Sequence, residues 1–75
     1  MIYKNRITID PKIMVGKPVV AGTRIPVDLV LGKLARNVDV DALLRDYPRL
    51  TREDIQAVLQ YAHDILKGEE VYPTA

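Results

Sequence analysis

Gly16 and Gly22 bracket the stretch of this chain that comes nearest to a recognisable chemical motif, the phosphate-binding P-loop. A P-loop has four residues between its two glycines and a lysine directly after the second glycine. Here five residues separate the glycines, and Thr23 occupies the position of the lysine. The sequence therefore excludes a P-loop.

The other polar residues do not form a pattern typical of catalysis. The chain has one histidine, His63, and no cysteine, so a thiolate site or a paired-histidine metal site cannot form. Its acidic residues near positions 39–41 and 53–54 lie where helices are predicted to begin, and capping and the helix dipole account for them. We predict no catalytic residue, no metal site and no cofactor, and therefore a protein that is not an enzyme, with His63 at the surface or the edge of the core.

The sequence pattern changes at Pro26 from extended to helical. Residues 6–9 alternate apolar with polar side chains and residues 18–21 form a short apolar run, so both are predicted strands, with Gly16 and Gly22 in turns. After Pro26, apolar residues recur at helical spacing in three segments. We predict one mainly α domain: a loose arm over 1–5, a β element over 6–25, a tri-helical, helix-turn-helix-like core over 26–68 and a tail over 69–75.

The first helix is predicted over residues 26–36, with Pro26 as its first residue. Asn37 is suited to the left-handed conformation that closes a helix. Gly32, inside the helix, indicates the close approach of another backbone. The apolar face of this helix comprises Val27, Val30, Leu31 and Leu34.

Capping signals predict the two remaining helices. Asp39 is a good N-cap for the second helix, which Pro48 ends. Thr51 and Asp54 have the spacing of a capping box at the start of the third helix, and Gly68 supplies its stop. The apolar face of the third helix is predicted to contain Ile55, Val58, Leu59, Ala62, Ile65 and Leu66.

Length and hydropathy bear on the oligomeric state and the cellular location of the protein. A 75-residue chain without disulfides buries only a small core, so we expect a homodimer that covers the edges of the β element. The longest apolar runs are far shorter than the roughly 20 residues needed to span a bilayer. With no secretory signal in the N-terminal residues, the predicted location is the cytoplasm, without membrane association.

Several strings resemble the small bacterial family called domain of unknown function (DUF) 433, over roughly residues 6–65. The strings are Ile-Thr-Ile-Asp-Pro at 7–11, Gly-Lys-Pro at 16–18, Gly-Thr-Arg-Ile-Pro at 22–26, Asp-Tyr-Pro at 46–48 and Leu-Thr-Arg-Glu-Asp-Ile at 50–55. The resemblance implies a helix-turn-helix-like domain with an N-terminal β segment. It further implies an antitoxin that neutralises a PIN-like ribonuclease. Repression of its own operon is a second hypothesis, which is compatible with the first. The alternatives are a DNA-binding regulator without a toxin, or an oligomerisation module.

The charge distribution suggests where a partner protein would bind. Residues 1–36 carry seven basic and two acidic side chains, a net +5, whereas residues 37–75 carry four basic and eight acidic ones, a net −4. A ribonuclease has to attract RNA, so an acidic segment complements its cleft. The two halves could instead neutralise each other within the fold or across a dimer. The partner-binding residues that we predict are Glu69, Glu70, Val71 and Tyr72.

The same distribution argues against the third helix as the DNA-reading element. In helix-turn-helix proteins the start of the recognition helix enters the major groove, but here that start carries Glu53 and Asp54. We therefore predict that any contact with operator DNA uses basic residues of the N-terminal part. An alternative for one of them, Arg24, is an ion pair with an acidic residue such as Asp46. The predicted DNA-binding residues are Lys4, Arg6, Lys12, Lys17 and Arg24.

Overall fold

A short β hairpin precedes three helices in the computed structural model, which describes residues 5–12 and 14–67. This arrangement confirms the predicted mainly α fold with an N-terminal β element. The elements are strand β1 (Ile7–Ile9), a 3₁₀ turn (Met14–Gly16), strand β2 (Pro18–Val20), and helices α1 (Val27–Ala35), α2 (Val40–Asp46) and α3 (Arg52–Lys67).

The hairpin is antiparallel, and its register pairs Ile7 with Val20 and Ile9 with Pro18. Strand β2 ends one residue earlier than predicted, because Ala21 belongs to the turn that follows. Both predicted turn glycines have a positive φ, +81° at Gly16 and +79° at Gly22. They therefore supply the left-handed backbone that closes the turns on either side of β2.

Helix α1 begins at Val27, so the prediction that Pro26 is its first residue is wrong by one position. Pro26 is the N-cap, with φ −68° and an extended ψ of 147°, and it forms a β bridge with Val19. The bridge keeps Pro26 extended. The Pro26 carbonyl oxygen accepts the first hydrogen bond of the helix, from the Leu29 amide. The end of the helix confirms the prediction for Asn37, which has a φ of +68°.

The other two helix starts are as predicted. Asp39 caps α2 through its side chain, which accepts a hydrogen bond from the Ala42 amide at 2.9 Å. Thr51 and Asp54 form a reciprocal capping box at the start of α3: the Asp54 amide donates to Thr51 Oγ1, and the Thr51 amide donates to Asp54 Oδ2, both at 3.1 Å. Each pair satisfies backbone donors that a helix start leaves without an intrahelical acceptor.

One side of α3 closes the hydrophobic core, but only over its first half. The core contains Val20, Val27, Val30, Leu43, Leu50, Ile55 and Val58. Farther along α3, Leu59, Ile65 and Leu66 are exposed, with 48%, 57% and 82% of their surface accessible. The predicted apolar face therefore meets the core at Ile55 and Val58 and is exposed at Leu59, Ile65 and Leu66. Tyr61, in the second half of the helix, still packs against the core.

The Asp54 carboxylate also attaches the β hairpin to α3. Asp54 is 7% exposed, and its Oδ1 accepts a hydrogen bond from Arg6 Nη1 at 3.0 Å. The Arg6 carbonyl oxygen accepts a hydrogen bond from the Ala21 amide at 2.7 Å, which keeps the arginine in the hairpin. A capping residue of the last helix is thus joined to the residue that leads into the first strand.

Gly32 does not meet another backbone in the described structure, which overturns the expected close approach. A Cβ atom built at Gly32 would have no neighbouring atom within 4 Å. The Gly32→Ala variant should therefore be more stable than the wild type, with a free energy of unfolding that is about 0.5–1 kcal/mol higher. The reason is that alanine lowers the entropy of the unfolded chain and fits the helix. Chemical denaturation followed by circular dichroism measures this change.

Gly22→Ala is the matched control, since the same side chain is added where φ is +79°. This variant should be destabilised, because an L residue in the left-handed region costs about 1 kcal/mol or more. A loss of stability in Gly32→Ala would mean that α1 approaches another backbone after all, for example in an oligomer.

The Asp54 contacts generate a second stability prediction. Thr51→Ala should lower the free energy of unfolding by about 0.5–2 kcal/mol, because the Asp54 amide loses its capping acceptor. Asp54→Ala should lower it further, since it leaves both the Thr51 amide and the Arg6 guanidinium without their acceptor. Urea denaturation compares the two with Gln56→Ala, an exposed control on the same helix. Equal effects of Asp54→Ala and Gln56→Ala would contradict this role of the carboxylate.

Candidate functional site

The segment between β2 and α1 forms a tight loop that its own polar atoms hold in shape. Thr23 Oγ1 donates to the Val20 carbonyl oxygen at 2.7 Å and accepts from the Ile25 amide at 3.0 Å. The Val20 amide donates to the Ile25 carbonyl oxygen at 2.9 Å, and the Thr23 amide donates to the Val20 carbonyl oxygen at 3.0 Å. The Gly-Thr-Arg-Ile-Pro string therefore encodes one defined loop, with Thr23 as its central bracing residue.

An open groove of about 570 Å³ lies beside this loop. Arg49, from the turn between α2 and α3, forms part of the wall and donates a hydrogen bond from Nη2 to the Gly22 carbonyl oxygen at 2.7 Å. Two arginine residues therefore line one groove, and no carboxylate is among the described residues that line it. The lining residues are Gly22, Thr23, Arg24, Ile25 and Arg49.

Arg24 is exposed at this groove and does not form the ion pair with Asp46 that was considered from the sequence. Within residues 5–12 and 14–67, no carboxylate neutralises its charge. Arg49 was not among the predicted site residues. It lies 27 positions from Gly22 in the sequence, and no local pattern signals that the two meet.

The other predicted DNA-binding residues do not gather around Arg24. Arg6 is engaged by Asp54, and Lys17 forms an exposed ion pair with Asp28 at 3.2 Å. Lys12 is exposed at the hairpin turn, where its amide donates to Asp10 at 2.9 Å. Lys4 lies outside the described residues. Among the described residues of this group, Arg6 and Lys17 are thus engaged by carboxylates, whereas Lys12 is exposed.

A second, largely apolar groove of about 270 Å³ lies along the Lys17–Asp28 ion pair. It is smaller than the groove at Arg24, and its two charged residues neutralise each other. The groove is lined by Lys17, Pro18, Val27, Asp28, Leu31 and Tyr61.

The predicted partner-binding residues Glu69, Glu70, Val71 and Tyr72 lie outside the described residues. They follow the end of α3, where Leu59, Ile65 and Leu66 are exposed. His63, on the same half of the helix, is exposed as predicted, and its Nδ1 lies 3.1 Å from Asp64 Oδ1. The second half of α3 therefore presents apolar side chains to solvent beside polar ones.

Among residues 5–12 and 14–67, no three histidine, aspartate or glutamate side chains are grouped so that they could hold a metal ion. No helix in the same ranges is both long and apolar enough to cross a membrane.

Comparison with known proteins identifies relatives of this chain. An uncharacterized protein of Archaeoglobus fulgidus is 70% identical over 24 residues, which are 32% of this chain and 67% of that protein. A DUF433 member protein from Anabaena variabilis, known from a crystal structure at 2.00 Å resolution, superposes with a TM-score of 0.79 at 31% identity. That superposition covers 85% of this chain but 63% of the Anabaena chain, so this chain spans less than two thirds of that relative. The sequence profile described as "protein of unknown function (DUF433)" matches residues 7–62, well over half of the 75 residues, and the chain therefore belongs to the DUF433 family.

Proposed function

We propose that this chain is the antitoxin of a cytoplasmic toxin–antitoxin pair and that it binds and neutralises a PIN-like ribonuclease. The observation that carries the proposal is the second half of α3. There Ile65 and Leu66 are exposed, and Leu59 is exposed at the end of the first half, whose other apolar side chains are fixed in the core. Partner proteins commonly bind such a helix by accepting its apolar face into a groove.

The geometry of α3 suits this mode of binding. Leu59 and Leu66 are seven positions apart, so they lie two turns apart on one side of the helix. Full burial of a leucine or isoleucine contributes roughly 1.5–3 kcal/mol, so these side chains offer substantial binding free energy that the monomer leaves unused. The capping box and the Arg6–Asp54 ion pair hold the base of the helix, which lowers the entropy lost on binding.

Charge favours a basic partner at this end of the molecule. Glu69 and Glu70 follow α3 in the sequence, and Val71 and Tyr72 add an apolar and an aromatic side chain. The active cleft of a ribonuclease is expected to be basic, because it has to attract RNA. An apolar anchor followed by an acidic segment therefore matches a cleft that has an apolar groove beside it.

A second candidate function is DNA binding by a helix-turn-helix-like regulator, either as the repressor of the antitoxin's own operon or without a toxin. The observation that favours it is the uncompensated guanidinium of Arg24 beside Arg49. The beginning of α3 is less suited to this role, because Glu53 is exposed there and would face DNA phosphates. A role as an oligomerisation module is the third possibility.

An inhibition assay tests the antitoxin proposal. The purified chain is mixed with a purified PIN-like ribonuclease, the proposed partner, and cleavage of a labelled RNA is followed. The wild-type chain should abolish cleavage at equimolar concentration. The Leu59→Gln and Leu66→Gln double variant should bind at least about tenfold more weakly, because two apolar anchors are lost.

Gln56→Ser with Gln60→Ser is the matched control, because both glutamines are exposed on α3 and neither is apolar. The control should inhibit as well as the wild type. Both double variants should keep the wild-type melting temperature, since the substituted side chains lie outside the core. Full inhibition by the leucine variant would contradict binding through this half of α3.

We further propose a homodimer formed through the hairpin. Within residues 5–12 and 14–67 the sheet has two strands, and β2 is flanked on its far side by the bridge to Pro26, so the edge left free by these residues belongs to β1. Ile9 is 58% exposed at that strand. Ile9→Lys should convert the dimer into a monomer, because a charged side chain disfavours edge-to-edge pairing. Light scattering after size-exclusion chromatography measures the mass, and an unchanged dimer would exclude this interface.

A further inference from the structure

The groove beside the Gly22–Ile25 loop combines features of an anion-binding site. Two arginines, Arg24 and Arg49, line it, and none of the acidic residues within 5–12 and 14–67 does. We propose that this groove binds a phosphate group, either free or as part of a polynucleotide backbone. The inference does not depend on the protein partner proposed above, because α3 beyond Leu59 is not part of the groove.

The loop is organised before any ligand binds. Thr23 uses its hydroxyl group both as a donor, to Val20, and as an acceptor, from Ile25. Gly22 provides the positive φ that the turn requires. A site whose backbone is fixed in this way loses little conformational entropy when it receives an anion.

The groove contains more hydrogen-bond donors than acceptors among the described residues. Arg49 uses Nη2 for the Gly22 carbonyl oxygen, and this bond positions a guanidinium group that has five N–H donors in total. Arg24 makes no hydrogen bond or ion pair with any side chain in residues 5–12 and 14–67. The amides of Gly22 and Arg24 likewise donate to no acceptor in those ranges.

The chemistry of these donors favours phosphate over a carboxylate. A guanidinium group binds phosphate oxygens through two parallel hydrogen bonds, and two such groups supply a charge of +2. A phosphate monoester carries about −1.5 to −2 at neutral pH, whereas a carboxylate carries a single charge and is satisfied by one arginine. A phosphodiester carries one charge but presents oxygens to both arginines. Phosphate is thus the anion class that uses the whole site.

Amide NMR of the isotope-labelled chain tests the proposal. One titration uses inorganic phosphate, with sodium chloride at matched ionic strength as the reference, and a parallel titration uses a short oligothymidylate. Phosphate should shift the signals of Gly22, Thr23, Arg24 and Arg49 selectively. Arg24→Gln should weaken binding about tenfold or more, because it removes one charged donor group.

Two further variants make the test specific. Arg49→Lys keeps the charge but loses the planar fork, so it should also weaken phosphate binding. Arg45→Gln, at an exposed arginine in the last turn of α2, is the matched control and should bind like the wild type. All three variants should retain the wild-type amide spectrum away from the groove, which separates lost binding from lost folding.

The results distinguish a polynucleotide backbone from a small phosphorylated ligand as the source of the phosphate, or they contradict the proposed site. Selective shifts with both ligands, and tighter binding of the oligothymidylate, identify a polynucleotide backbone. Selective shifts with inorganic phosphate alone identify a small phosphorylated ligand. Shifts that spread over the surface, or equal losses in Arg24→Gln and Arg45→Gln, overturn the proposal. Inhibition of the ribonuclease is measured separately, so the proposed antitoxin function can fail without affecting this result.

Discussion

The buried carboxylate of Asp54 is the contact on which the arrangement of this small protein depends. One of its oxygens accepts from the Thr51 amide at the start of α3, and the other accepts from Arg6 at the beginning of the hairpin. A buried carboxylate without partners is strongly unfavourable, so these donors are a condition of its burial. Because one of them comes from the hairpin, the orientation of the hairpin relative to α3 is fixed by a polar contact as well as by the apolar core.

Among the described residues, this contact is one of two ion pairs that engage basic side chains of the N-terminal half. The sequence places seven basic side chains in residues 1–36, which suggests an extended basic surface. In the folded chain Arg6 is directed to α3 and Lys17 to α1, through ion pairs with Asp54 and Asp28. Arg24 forms no ion pair within residues 5–12 and 14–67, and Arg49, from a different part of the chain, lines the same groove. The folded chain therefore places one of these basic side chains beside a second arginine that lies outside the basic half of the sequence.

The two halves of α3 have different surroundings, although the sequence pattern along the helix is continuous. Ile55 and Val58 belong to the core, and α1 packs against this helix. Ile65 and Leu66 continue the apolar pattern and remain exposed. Within residues 5–12 and 14–67, the last turn of this 16-residue helix therefore stays largely uncovered.

The sequence alone determined the local elements, because each rests on interactions between near neighbours in the chain. The capping box at Thr51, the N-cap at Asp39 and the left-handed residues Gly16, Gly22 and Asn37 could all be predicted for this reason. The family could also be predicted, since its strings are contiguous in sequence.

Only the tertiary structure decided which side chains meet across long separations. Arg6 and Asp54 are 48 positions apart, and Gly22 and Arg49 are 27 apart, so no periodicity relates either pair. The same limit explains the exposed end of α3 and the open space at Gly32. Helical spacing tells which residues share a face, but burial depends on whether another part of the chain is long enough to cover that face.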